Sequence, residues 1–244
     1  SISFAFIAVL LAGAFYFLAN ALDKISPKTP AIHLAIGAFA SGVAAAMALA
    51  FVMVLDRGYL TVAFAVTAAT TSLFAVIDRI PMLRYVVVAI GFIVLGRLAW
   101  DPYIAGADVG TWPIFNWLLL GYGAPAAAFL GAGYILKRQG EDLAVRLCDA
   151  LGLLFAALLF FFQIRHALNG GDILSPASGH IEQGLFALTS LGFSIVLVRM
   201  DLARGNPVFR FASLAFGVIS AVLVVFGLGL AENPLFSRQS VLGP

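Results

Sequence analysis

The residues that could do chemistry crowd into one stretch, "QIRHALNGGDILSPASGHIEQG", residues 163–184. It carries Gln163, Arg165, His166, Asn169, Asp172, His180, Glu182 and Gln183. Imidazoles and carboxylates close together can move protons. Imidazole with carboxylate can also hold zinc, but the His166/His180 spacing matches no short zinc motif, so no metal is expected. Gln163, His166 and Asn169 stand at i, i+3 and i+6, broadly one helix face. Glu182 opens the next helix, where the dipole favours an anion. Arg165 is placed to pair with it across the turn, and Asp172 is expected in solvent. The same residues also suit a plain anchor that ties two helices to their turn, with Arg165 reaching toward water. Both readings stay open at this point.

A second pair, Arg97 and Asp101, stands at i, i+4 and can bond along one helix side. An arginine inside an apolar run is a functional-site hypothesis by default. Arg97 lies about one turn from the end of its run, so anchoring serves as well. Cys148 is the single cysteine and allows no internal disulfide. Asp149 beside it could pair with Arg146 or Arg138, and His33 falls near the start of its run. Nothing in the Asp-Pro stretch that follows Trp100 resembles a nucleophile–base pair or a phosphate cradle. No catalytic residue is assigned and no cofactor is expected.

The elements that must position these residues are set by composition. Apolar residues make up 62% of the 244 and charged residues 11%, with a mean hydropathy of +1.05. Soluble domains are about half apolar and about a quarter charged, so this chain belongs in a bilayer. Its net charge of +2 is too small to suggest a nucleic-acid partner. Runs of about 20 apolar residues are long enough to cross the hydrocarbon as helices. Eight occur, at 2–22, 31–55, 59–77, 82–100, 112–136, 143–168, 180–198 and 207–231. Stretches such as "GLLFAALLFFF" lack period-2 alternation, which excludes barrel strands. The fold expected is all-α and polytopic. "GYGAP", residues 121–125, should kink the fifth helix, because proline removes a ladder bond. Small residues spaced four apart in the second helix, Gly37, Ser41 and Ala45, suit close packing in lipid.

Two landmarks recur. "IPMLRY" at 80–85 returns as "NPVFRF" at 206–211, and "WDPYIAGADVG" from Trp100 returns as "ENPLFSRQSVLG" from Glu232. They suggest two tandem four-helix repeats, 1–111 and 112–244, in the same orientation. The outer turn of the first repeat, "LDRGYL", holds no histidine, so the polar cluster is not duplicated. The Asp-Pro stretch reads as a repeat-to-repeat connector, with Trp112 at the headgroup belt and Pro113 at a helix start. Turns after the odd-numbered helices hold ten of the fourteen Lys and Arg residues, leaving Arg57, Arg97, Arg165 and Arg238 on the other side. By the positive-inside rule those ten are cytoplasmic, and both chain ends are periplasmic. The expected setting is a bacterial inner membrane.

"DPYIAGADVGTWPIFNWLLLGYGAPA" and "NPLFSRQSVLGP", with "FFQIRHALNGG" followed by "EQGLFAL", resemble the recurring connector of the domain of unknown function 2339 family, very large bacterial membrane proteins. The resemblance covers chiefly residues 97–244. It implies a fragment of a longer chain with many more helices, often behind a soluble N-terminal segment, and no established activity. It also implies an acidic residue where Gln163 stands. This chain departs there, so no Arg–acid role is carried over to Arg165. The partners expected are the lipid bilayer, further helices of the same longer chain and other membrane proteins. The function expected is a scaffold or a channel- or transporter-like membrane component. The alternative is an envelope enzyme using Arg165, His166, His180 and Glu182 on a lipid-linked or glycan substrate at the periplasmic face.

Overall fold

The structure, a computed structural model, describes residues 2–25, 29–55, 57–100, 109–175 and 179–231. All regular elements among them are helical: α1 (Ile2–Asp23), α2 (Pro30–Val54), α3 (Arg57–Ile77), α4 (Met82–Trp100), α5 (Ala124–Lys137), α6 (Leu143–Leu168), α7 (His180–Arg204) and α8 (Pro207–Val222). Five residues of π-helix, Leu119–Gly123, precede α5, and nine more, Leu223–Ala231, extend α8. Eight helical segments of the described residues are long and apolar enough to span a membrane. The 26 residues of α6 are about 39 Å long at 1.5 Å per residue, more than a bilayer's hydrocarbon.

Helix ends follow local chemistry. Thr29 accepts a hydrogen bond from the Ile32 N–H and Pro30 takes the first helical position of α2. Asn206 and Pro207 do the same for α8, with the Asn206 side chain accepting from Val208 N–H. α7 ends on Gly205 in the left-handed region, φ 64°. It therefore runs six residues beyond the expected 198, because "RMDLAR" continues as wet helix until that glycine stops it.

The fifth span also departs from expectation. Helix geometry starts at Trp117 rather than at 112. Pro113 is not a helix start. It lies in a bent segment where Phe115 N–H donates to Pro113 O at 2.8 Å around Ile114, whose φ is 70°. The cap is Asn116, whose Oδ1 accepts from Leu118 N–H at 3.0 Å. At "GYGAP", where a kink is expected, a π-helical stretch stands just before Pro125. A wide turn of this kind takes up a residue that cannot donate to the ladder.

The chain divides into two compact units, residues 1–106 with 119–156 and residues 107–118 with 157–244. In the first unit small residues set the spacing. Ala65, Ala68, Ser72 and Ala75 are fully buried along one face of α3. A Cβ added at Gly42 would lie 2.7 Å from Phe15, one at Gly91 2.6 Å from Leu147, and one at Gly152 2.6 Å from Leu130. Such approaches are how helices associate in lipid, where burial between helices gains little. Phe129 and Tyr122 close on Phe155 at 6.1 and 6.3 Å between ring centroids. At one end of this unit Arg84 donates to Asp142 at 2.6 Å and to the Leu136 and Gly140 carbonyls at 3.1 Å. Gln139 donates to the Ala75 and Val76 carbonyls. The α3/α4 and α5/α6 turns therefore share an end.

In the second unit α7 and α8 form a hairpin stitched by hydroxyls. Ser194 donates to Ser213 O at 2.8 Å and Ser220 to Ala187 O at 2.9 Å. Phe193 contacts both Phe160 and Phe216, and Phe161 meets Phe186 edge-on.

Candidate functional site

The polar stretch 163–184 lies wholly in the second unit, at the end where the 109–118 segment and the α6/α7 turn meet. α6 presents two sets of side chains there, and the structure separates them.

The first set faces the 109–118 segment. Gln163 and Asn116 pair their amides head to tail. Asn116 Nδ2 donates to Gln163 Oε1 at 3.0 Å and Gln163 Nε2 donates to Asn116 Oδ1 at 3.1 Å. The same Nε2 donates to Ile114 O at 3.0 Å, and Asn116 Nδ2 donates to Trp112 O at 3.2 Å. One turn on, His166 Nε2 lies 2.6 Å from Gly110 O. A carbonyl only accepts, so Nε2 carries the proton. His166 is 2% exposed, and its Nδ1 has no hydrogen-bond partner. Gly110 and Gly171 both have positive φ, 85° and 100°, a conformation other residues rarely adopt, and a Cβ at Gly171 would stand in ordinary contact with Gly110 O at 3.6 Å.

The second set ties α6 to its own turn and to α7. Arg165 Nη1 stands 3.4 Å from Glu182 Oε1, and Arg165 Nη2 donates to the Ser175 carbonyl. Asn169 Nδ2 donates to Glu182 Oε2 at 3.3 Å and to Arg165 O at 3.0 Å. Glu182 is 3% exposed and the Arg165 side chain 24%. The expected Arg165–Glu182 pair is therefore formed, with Asn169 as its third member. Asn169 joins this set rather than the Gln163/His166 face, because at i+4 from Arg165 it follows that residue around the helix.

The remaining expectations sort as follows. Asp172 is exposed and uses Oδ1 to accept from Leu174 N–H at 2.8 Å, a local turn bond. His180 is half-buried as the first residue of α7. His166 makes its bond to Gly110 rather than to Glu182. Among the described residues no three His, Cys, Asp or Glu side chains are grouped to hold a metal. Arg97 Nε donates to Thr61 Oγ1 at 3.1 Å, tying α4 to α3. Its expected partner Asp101 lies outside the described residues, as do the Asp-Pro and Asn-Pro corners. Sequence reasoning missed Asn116. Its signal was an asparagine directly before a helix, masked by the more obvious "TWP". It also missed the Arg84–Asp142 clasp, although Asp142 directly before "LAVRL" is a cap position. Asp142 Oδ1 accepts from Val145 N–H there, at 3.1 Å. The Arg84 guanidinium holds the Asp142 carboxyl below the usual carboxylate range.

Chemically, the arrangement is largely one of mutual engagement, although Arg165 Nε, His166 Nδ1 and Glu182 Oε1 are buried without a hydrogen-bond partner. The guanidinium, the carboxylate, both amides and one imidazole nitrogen are engaged with one another or with carbonyls of nearby turns. No curated protein and no solved structure was found to match the chain. One family, described as "Predicted membrane protein (DUF2339)", matches residues 1–244. The likeness seen in the sequence chiefly from 97 onward thus extends to the first helices as well. With its eight candidate spans and this match over its whole length, the chain belongs to the DUF2339 family of membrane proteins.

Proposed function

We propose that the chain is a non-enzymatic membrane component, a scaffold or a channel- or transporter-like part of a bacterial inner membrane, whose polar cluster is a structural clasp. One observation carries this reading. The side chains best suited to chemistry, Gln163, Arg165, His166 and Glu182, make their side-chain hydrogen bonds to Asn116 and Asn169 or to the Gly110, Ile114 and Ser175 carbonyls, with Arg165 and Glu182 also paired as ions; Arg165 Nε, His166 Nδ1 and Glu182 Oε1 have no hydrogen-bond partner. A substrate would have to displace those bonds. The repeats 1–111 and 112–244, further helices of a longer chain and other membrane proteins as neighbours belong to the same proposal. The ten-to-four division of Lys and Arg supports an orientation with the clasp on the periplasmic side and both ends of the chain there. In the first unit two alternate turns share an end, as successive crossings require.

The test is the double change Arg165→Met with Glu182→Met, placed in the native gene. Replacing a buried ion pair by apolar residues of similar volume is often neutral or better, whereas removing one partner strands a charge. A clasp predicts that the double variant recovers most of the stability lost by either single change, and that the strain behaves as wild type in growth and envelope integrity. Recovered stability with the phenotype of a deletion strain would instead favour the enzymatic reading.

A further inference from the structure

We propose that residues 112–115 form an apolar wedge seated in the bilayer at the boundary between headgroups and acyl chains, with Trp112, Ile114 and Phe115 as its lipid-facing side chains. The three are 74%, 65% and 77% exposed. They stand on backbone that is not helical and is bent at Ile114, where a β-branched side chain holds a φ of 70°. Branched residues avoid that region, so the conformation persists only because its surroundings impose it. Four hydrogen bonds impose it. Gln163 holds the Ile114 carbonyl, Asn116 holds the Trp112 carbonyl, His166 reaches the Gly110 carbonyl, and Trp117 N–H donates to Val109 O at 3.1 Å. These bonds draw the polar backbone toward α6 and leave the apolar side chains outward.

Two facts fix the occupant. Helical geometry resumes at Trp117 and the span begins at Leu119, four residues after Phe115, and four residues reach at most about 13–14 Å. The segment therefore cannot stand far from the hydrocarbon. Nor can it lie within it, because irregular backbone facing lipid does not occur there. The interfacial zone remains, the level at which tryptophan is enriched. Residues 109–118 also contain no charged side chain, which suits the acyl boundary rather than pairing with an ionic headgroup. This inference does not depend on the scaffold reading.

The test uses the full 244-residue chain in phosphatidylcholine liposomes. The Trp112 fluorescence is isolated by subtracting the signal of a Trp112→Phe variant. Lipids brominated near the headgroup end of their chains should quench it more than lipids brominated near the chain ends, and more than aqueous acrylamide. Quenching by acrylamide alone would place the segment in water. Quenching by none of the three would mean that protein covers it, and strongest quenching by chain-end bromines would mean burial in hydrocarbon. Each of these overturns the proposal. Ile114→Asn supplies the second arm, since asparagine accepts the left-handed conformation but is polar. Its unfolding temperature in detergent should hold or rise, while headgroup-end bromines quench Trp112 less. Unchanged quenching in that variant would remove Ile114 from the wedge and overturn the assignment.

Discussion

Glu182→Gln separates a clasp from a decorative surface pair. A truly buried ion pair that loses one partner costs about 3–5 kcal/mol, while an exposed pair is worth about 0–1 kcal/mol. Glu182 is 3% exposed, which points to the upper range, but the Arg165 side chain is 24% exposed and keeps the Ser175 carbonyl. Glutamine also keeps the volume and an oxygen for Asn169 Nδ2. The expected loss is therefore intermediate, about 2 kcal/mol. For a chain of this size that is a fall of about 4–8 °C in the unfolding midpoint. The comparison is Asp172→Asn, which changes the same charge ten residues away in the sequence. Its carboxylate is exposed, and asparagine keeps the oxygen that accepts from Leu174, so the change should stay within about 0.5 kcal/mol. Both variants would be heated in the same detergent and followed by intrinsic fluorescence. Equal midpoints would refute the claim that Glu182 is a buried, paired charge.

Gln163→Ala would remove the side-chain partner of Asn116, which keeps its bonds to Trp112 O and Leu118 N–H, and the Gln163 bond to the Ile114 carbonyl, and should cost about 1–3 kcal/mol, read as a lower unfolding midpoint with faster proteolysis in 109–118. Gly152→Ala places a methyl 2.6 Å from the Leu130 side chain and 3.0 Å from its backbone nitrogen, so it should destabilise by about 1–3 kcal/mol. Gly96→Ala, with nothing within 4 Å, should be neutral or gain up to about 1 kcal/mol from helix propensity. The Asp142 carboxyl titrates lower in the folded state than in the unfolded chain. Its contribution is thus complete above the ordinary carboxylate value near ~3.9 and is lost as pH falls through the lower folded value. Because its side chain is 43% exposed, the advantage of wild type over Asp142→Asn should be no more than about 1 kcal/mol at neutral pH, and should shrink as the solution is acidified below that value.

How far the sequence could be read depended on what bounds each element. α4 and α6 lie where apolar runs meet charged turns, at 82–100 and 143–168, because the same composition that marks a membrane span also ends it. α7 was read short since "RMDLAR" is polar; a helix that leaves the hydrocarbon keeps its backbone bonds until Gly205 stops it. The start of α5 was misplaced for a different reason. Trp112-Pro113 has the local look of a helix entry, but the cap is Asn116, held by Gln163 47 residues further along the chain, and no local pattern reports such a bond. In the polar cluster the Arg165–Glu182 pair was legible because both partners are charged side chains at the two ends of one short turn. The partners of Gln163 and His166 include the carbonyls of Ile114 and Gly110, and a backbone carbonyl carries no sequence signature. For the same reason one apparent cluster resolves into two.

The proposed orientation, with the clasp and its turn at the periplasmic face of an inner membrane, is tested most directly by cysteine labelling. In a Cys148→Ala background, Ser175→Cys in the α6/α7 turn and Glu141→Cys in the α5/α6 turn would each be treated with an impermeant thiol reagent in intact cells. Ser175→Cys should label at once, and Glu141→Cys only after the membrane is permeabilised. Labelling of Glu141→Cys in intact cells with protection of Ser175→Cys would invert the topology and contradict the account.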